Sequence, residues 1–178
     1  SRPFAGTVGR GPGAPRPSPV RYAASGAMAH KHRLVVSGRY TEIKRICEFV
    51  AAGAAEAGFD DNTIFHLELC CDEASTNIIE HAYGKEGAGD IAISYAVSDD
   101  EFTIVLHDNG QAFDPGNVPP PPAINSATMS PDELASQMRV GGLGLHFIRN
   151  LMDEVTYTAD RRGGNRLVMV KKLQKDVP

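Results

Sequence analysis

Residues 67–84 read LELCCDEASTNIIEHAYG: two adjacent cysteines, several carboxylates, an asparagine and a histidine set among apolar side chains. Extended back to Asp60 and Asp61, the segment places Ile64, Leu67, Cys71, Ala74, Ile78 and Ala82 at helical steps, so one face is apolar. Asp and Asn at its start are capping candidates, and Gly84 is a natural stop. A long amphipathic helix is predicted. Glu73 and Asn77 are four apart and stack on one line, which Glu80 and His81 continue. That line lies about 100° round from the Ala74 and Ile78 stripe, at the margin of the core. Two readings are open for it. One is a solvated polar edge joined by i,i+4 hydrogen bonds. In the other, the pair projects into a pocket, Asn77 giving an oxygen to Mg²⁺ and Glu73 orienting or deprotonating a nucleophile.

Working outward, Arg33 to Ser37 is β-branched and short, as a strand is. Next come Ile43, Ile46, Phe49, Val50 and Ala54 at helical spacing, with Gly58 as the stop. On the other side, Ile91 to Val97 and Phe102 to His107 alternate and are joined by Ser98-Asp99-Asp100, the pattern of an antiparallel hairpin. Residues 115–138 hold four consecutive prolines and no sustained period, as in a lid or binding loop. Inside that stretch Ser130, Pro131 and Glu133 spell a capping box and a short helix. VGGLGLHFIRNLMD predicts a helix opening on glycines, with Leu145, Ile148, Leu151 and Met152 facing the core. EVTYTAD and NRLVMVKKL are two strands joined by Arg161-Arg162-Gly163-Gly164. This order predicts an α+β fold: two layers, a mixed and largely antiparallel sheet, and helices on one face.

Composition narrows the function classes. The first 29 of the 178 residues contain four arginines, no acid and many Gly, Pro, Ser and Ala. Residues 1–30 are therefore predicted to be a disordered leader or tail. Met28 is a candidate native start, in which case the residues before it are an upstream remnant, though a native tail has the same composition. Without that leader 14 basic side chains face 22 acidic ones, a balance of −8. Such a body disfavours direct nucleic-acid binding, which needs Lys and Arg against many phosphates. No apolar run approaches the roughly 20 residues that cross a bilayer, so a cytoplasmic protein without membrane contact is expected. Cys47, Cys70 and Cys71 show no C-x-x-C spacing and read as buried, reduced packing residues.

Two further segments could carry chemistry. HDNGQAFDPG, residues 107–116, contains turn-forming residues, yet no partner strand follows at hairpin distance. Either it is a turn, or Asp108 is a buried acceptor for an exocyclic amine and Gly110 lets a flat ring approach the backbone. GGLGLHFIRN, residues 141–150, offers backbone N–H groups at a helix start, a phosphate-binding geometry. It fits neither G-x-x-x-x-G-K-[ST] nor the Rossmann fingerprint. His81, His107 and His146 fall on separate elements without helical metal spacing, and no G-x-S-x-G elbow is present.

Taken in chain order, DEASTNIIEHAYG, HDNGQAFDP, the long loop, GGLGLHFIRNLMDEVTY and GGNRLVMVKKL resemble the motifs of the Bergerat-fold (GHKL-type) ATP-binding family. They look closest to its branch of anti-sigma factor serine/threonine kinases. The match runs from Lys31 to Lys172, and implies an ATP-binding kinase domain over 31–175 with a lid at 115–138. The resemblance implies that Asn77 coordinates Mg²⁺, Glu73 is the catalytic base, Asp108 receives the adenine amino group and Gly110 lines the base. Gly142, Leu143 and Gly144 would wrap the phosphates, with Arg139 near the terminal one. Where the family often has a threonine after the glycine pair Gly163-Gly164, this chain has Asn165 followed by Arg166. Because only the leader precedes the domain and the chain ends soon after its last strand, the resemblance points to the stand-alone kinase branch. The implied partners are a small anti-anti-sigma (STAS-type) protein, a sigma factor and a second copy of the chain. The alternatives are an ATP-gated binding module without phosphotransfer and a histidine-kinase-like ATP-binding domain.

Overall fold

The central helix forms where the apolar stripe predicts it. In the computed structural model, which describes residues 31–112, 130, 132–133, 136, 144–160 and 164–174, α2 spans Asp61–Asn77. Asp60 is its N-cap and accepts a hydrogen bond from the Thr63 N–H at 2.7 Å, and the Thr63 side chain together with that N–H holds the Asp60 carboxyl below its usual range. Leu67, Cys70, Cys71 and Ala74 are buried along it, and Ile64 is half-buried. The helix does not end at Asn77. It widens into a π-helical segment, Ile78–Tyr83, which stops at Gly84 in the left-handed conformation with φ 72°.

Before it, β1 (Lys31–Ser37) leads into α1 (Tyr40–Glu56). No side chain caps α1 at Arg39, and the Tyr40 N–H instead donates to Glu86 Oε1 at 2.8 Å. After it come the hairpin β2 (Asp90–Val97) and β3 (Glu101–Asp108), α3 (Gly144–Leu151), β4 (Glu154–Asp160) and β5 (Gly164–Lys172). The capping box between them forms as its residues predict: Ser130 N–H and Oγ both donate to Glu133 Oε2 at 2.8 Å. Within α3 the buried residues are Gly144, Phe147, Ile148 and Leu151, with Leu145 half-buried, so the apolar face is turned toward Phe147 relative to the predicted one.

The sheet runs β1-β2-β3-β5-β4, and every pairing among the described residues is antiparallel. Register puts Val36 opposite Ile91, Ile93 opposite Leu106 and Ile104 opposite Met169, all on the face that the helices cover. Burying each large side chain there contributes about 1.5–3 kcal/mol. The other face carries an open groove of about 180 Å³ whose lining includes Lys31, Arg33, Ser94, His107 and Arg166. α1 packs on α2, and α2 packs on α3. α3 is fixed at its C-terminal end, where Lys171 Nζ donates to the Leu151 carbonyl at 2.8 Å and complements the negative end of the helix.

One close approach in this layer has a measurable consequence. A Cβ at Gly53 of α1 would overlap the ring of Tyr95, which stacks on His32 with centroids 4.7 Å apart and on Phe102 at 5.2 Å. In a helix facing solvent, Gly→Ala stabilises by about 1 kcal/mol. Here Gly53→Ala is expected to destabilise by roughly 1–3 kcal/mol, the range for overpacking, as read by the midpoint of urea unfolding.

Candidate functional site

Glu73 lies on the margin of α2, half-buried beside the buried stripe. Burial is the main cause of a carboxyl pKa above its usual value, and the charges of Asp72 and Glu80 push the same way, while the neighbouring Asn77 amide opposes them. The raised pKa makes the ionised form costly to fold: this part of the stability is present below 4.5 and lost as pH rises through the raised value. The Asn77 amide also carries an oxygen, Oδ1, which is an acceptor. A half-buried amide oxygen beside a carboxylate fits Mg²⁺, which binds through one or two protein oxygens and completes its octahedron with phosphate and water.

Glu73 also meets the start of α3. A Cβ at Gly144 would overlap the Glu73 carboxylate and its Cγ, so the missing side chain is the space in which the carboxylate sits. The positive end of the α3 dipole lies at this residue. Two motifs 71 positions apart in the sequence thus touch.

The second half of the site lies at the end of β3. Asp108 is 4% exposed and Asn165 of β5, its register partner, 2%. Asn165 Nδ2 donates to Asp108 Oδ1 at 2.8 Å, and to the carbonyls of Gln111 at 2.9 Å and Gly110 at 3.3 Å. Asp108 Oδ1 also accepts from the Gly110 N–H at 2.8 Å. The turn then leans on the π-helical segment: Gln111 N–H donates to the Ala82 carbonyl at 2.8 Å, and a Cβ at Gly110 would overlap that same carbonyl. Gly110 therefore has a packing reason to be glycine beside any role toward a ring. Tyr83 closes the arrangement, its hydroxyl donating to the Asp90 carbonyl at 2.5 Å and accepting from the Asn109 N–H at 3.3 Å.

The structure therefore brings Glu73, Asn77 and Gly144 together on one side, and joins Asp108 and Gly110 to the segment that continues from Asn77. Arg139, Gly142 and Leu143 lie outside the described residues, as do residues 1–30 and, apart from 130, 132–133 and 136, the segment 113–138. Glu80 and His81 are exposed in the π-helical segment, off the straight line that a regular helix would draw. The cysteines take no part: burial pushes the Cys47 and Cys70 thiols up to about 12 and Cys71 well above its usual value, so none offers a thiolate. Sequence reasoning missed Tyr83, Ala82 and the amide of Asn165, and the only available signal was Asn165 standing where a threonine was expected.

An antiparallel sheet covered on one face by helices makes this a two-layer domain of α+β class, with an acid and amide pair on one helix and a buried aspartate at a strand end. The profile of the family described as Histidine kinase-like ATPase domain matches residues 36–171, and the chain belongs to that family. Similar curated proteins include the Serine-protein kinase RsbW of Listeria monocytogenes serotype 4a (strain HCC23), 34% identical over 125 residues, covering 68% of this chain and 74% of the relative. The protein of the same name in Bacillus cereus (strain AH187) is 31% identical over 147 residues, 81% of this chain and 84% of the relative. Among the described residues no helix is long and apolar enough to cross a membrane.

Proposed function

We propose that the chain is an ATP- and Mg²⁺-dependent protein serine/threonine kinase of the anti-sigma type. It phosphorylates a serine on a small anti-anti-sigma partner of the STAS type, binds a sigma factor in the alternative complex, and works in the cytoplasm as a homodimer. The relatives named as serine-protein kinases support the reaction class. The observation that carries the reading is Glu73, a half-buried carboxylate one helical turn from Asn77 and packed against the first residue of α3.

In this reading Asp108 receives the exocyclic amine of the base, and the turn at Gly110 lines its ring. Gly142, Leu143 and Gly144 present backbone N–H groups to the phosphates, Arg139 balances their charge, and Asn77 Oδ1 holds the metal ion. Bound Mg-ATP supplies the phosphoryl group and the neutralisation of its charge. Glu73 accepts the proton of the incoming serine hydroxyl, and a carboxylate with a raised pKa is the stronger base for it. The pH dependence follows from the direction of that shift. Because Glu73 must be ionised, the acid limb of kcat/KM is expected above the usual carboxyl range, and Glu73→Gln removes that limb. A limb at an ordinary glutamate value in the wild type would contradict the assignment.

Calorimetric titration with Mg-ATP, followed by assay of ATP turnover with the partner present, tests the reading. Binding with turnover is the expected result. Binding without turnover would leave an ATP-gated binding module, and no heat at millimolar nucleotide would exclude a nucleotide site.

A further inference from the structure

Asp108 offers two carboxylate oxygens, and the fold treats them differently. Oδ1 accepts from Asn165 Nδ2 and from the Gly110 N–H, each at 2.8 Å, which fills its acceptor capacity. Among the described residues no side-chain or turn donor is spent on Oδ2. The same Asn165 amide reaches the carbonyls of Gly110 and Gln111, so one side chain fixes both the carboxylate rotamer and the turn that carries it. Asn165 is anchored in turn: it is 2% exposed and in register with Asp108 across β3 and β5. The preceding Gly164, at φ 81°, has no room for a Cβ against the Asp108 carbonyl.

We infer that Asn165 is a positioning residue that sets base selection. By holding Asp108 with Oδ1 occupied, it presents Oδ2 alone to the incoming base edge, which must then carry a donor. An amino-purine edge satisfies that acceptor, whereas a keto edge sets lone pair against lone pair. A buried acceptor that cannot turn away discriminates far better than one free to rotate. The inference rests on the ATP-site reading, and goes beyond it by assigning selectivity to a residue outside direct contact with the base.

The test compares the affinities of ATP and inosine triphosphate, which differ at the amine, for the wild-type chain, Asn165→Val and Asn165→Ala. Val fills the space without a donor. Ala asks less of the packing, so that a folded variant without the amide is at hand, and thermal melts establish which variants are folded. The wild type is expected to prefer ATP, and the preference is expected to fall by about tenfold or more in a folded variant, the weight of one lost hydrogen bond to a charged group. A merely structural role would weaken both nucleotides alike and leave their ratio unchanged. An unchanged ratio in a folded variant, or equal affinity of the wild type for the two, would overturn the inference. Failure of the wild type to bind either nucleotide would instead sink the ATP-site reading.

Discussion

Glu73→Gln is expected to lower the rate of phosphoryl transfer by about 10²- to 10⁴-fold, the range for loss of a positioned general base, while Mg-ATP affinity is expected to stay within about threefold if Glu73 makes no ground-state contact. Glutamine has the shape of glutamate, so it fits the space left by Gly144 and keeps its place beside Asn77. What changes is the charge. Glu73 is raised in pKa chiefly by burial, so its ionised form costs the fold stability. Removing that charge is therefore expected to leave thermal stability at neutral pH unchanged or slightly higher, while transfer collapses. Single-turnover transfer and a thermal melt on the same preparation check both halves. A variant that loses activity by losing its fold would show the opposite sign in the melt.

Gly144→Ala is expected to reduce kcat by roughly 10²-fold, the weight of misplacing a reacting group by about an ångström. Helix propensity alone predicts a gain of about 1 kcal/mol in stability for this change. The added methyl would occupy the position of the Glu73 carboxylate, so either the carboxylate or the start of α3 must move. A double-mutant cycle separates this from a direct effect on nucleotide binding. With Glu73→Ala in place the carboxylate is gone, and Gly144→Ala should then cost little further activity. An equal fall in both backgrounds would show that Gly144 acts apart from Glu73.

Much of the fold was legible because burial imposes a period. The Leu67, Cys71, Ala74 and Ile78 stripe and the alternation in β2 and β3 are local consequences of which side faces the core, and the Asp60 and Ser130 caps of the unpaired N–H groups at a helix start. The sheet order was less legible. Glu154–Asp160 and Gly164–Lys172 read as a hairpin, but which of the two strands pairs with β3 depends on long-range packing. A signal was present in the nearly continuous apolar run from Leu167 to Val170, which suits the inner strand β5 better than the alternating polar residues of β4.

The candidate site was legible in its parts and hidden in its joints. Glu73, Asn77 and Asp108 could be singled out by residue type and spacing. The widening at Ile78–Tyr83 could not, because IIEHAY has nothing that distinguishes a π-helical turn from the α-helix before it. At Gly110 the sequence leaves a turn and room for a ring both open, and does not show that the Ala82 carbonyl fills the space a Cβ would take. The role of Asn165 depends on β3 and β5 register, and so on the whole sheet. Sequence order shows only that a threonine position holds an amide.

The central claim is that a phosphoryl group passes from ATP, through the site built on Glu73, Asn77 and Gly144, to a serine of a small partner. Intact-mass and peptide mass spectrometry of the chain incubated with Mg-ATP and its cognate anti-anti-sigma partner measures this directly. The account predicts acid-stable phosphoserine on the partner with the wild type and almost none with Glu73→Gln. Equal phosphorylation by the two, or phosphate found instead as acid-labile phosphohistidine, would contradict it.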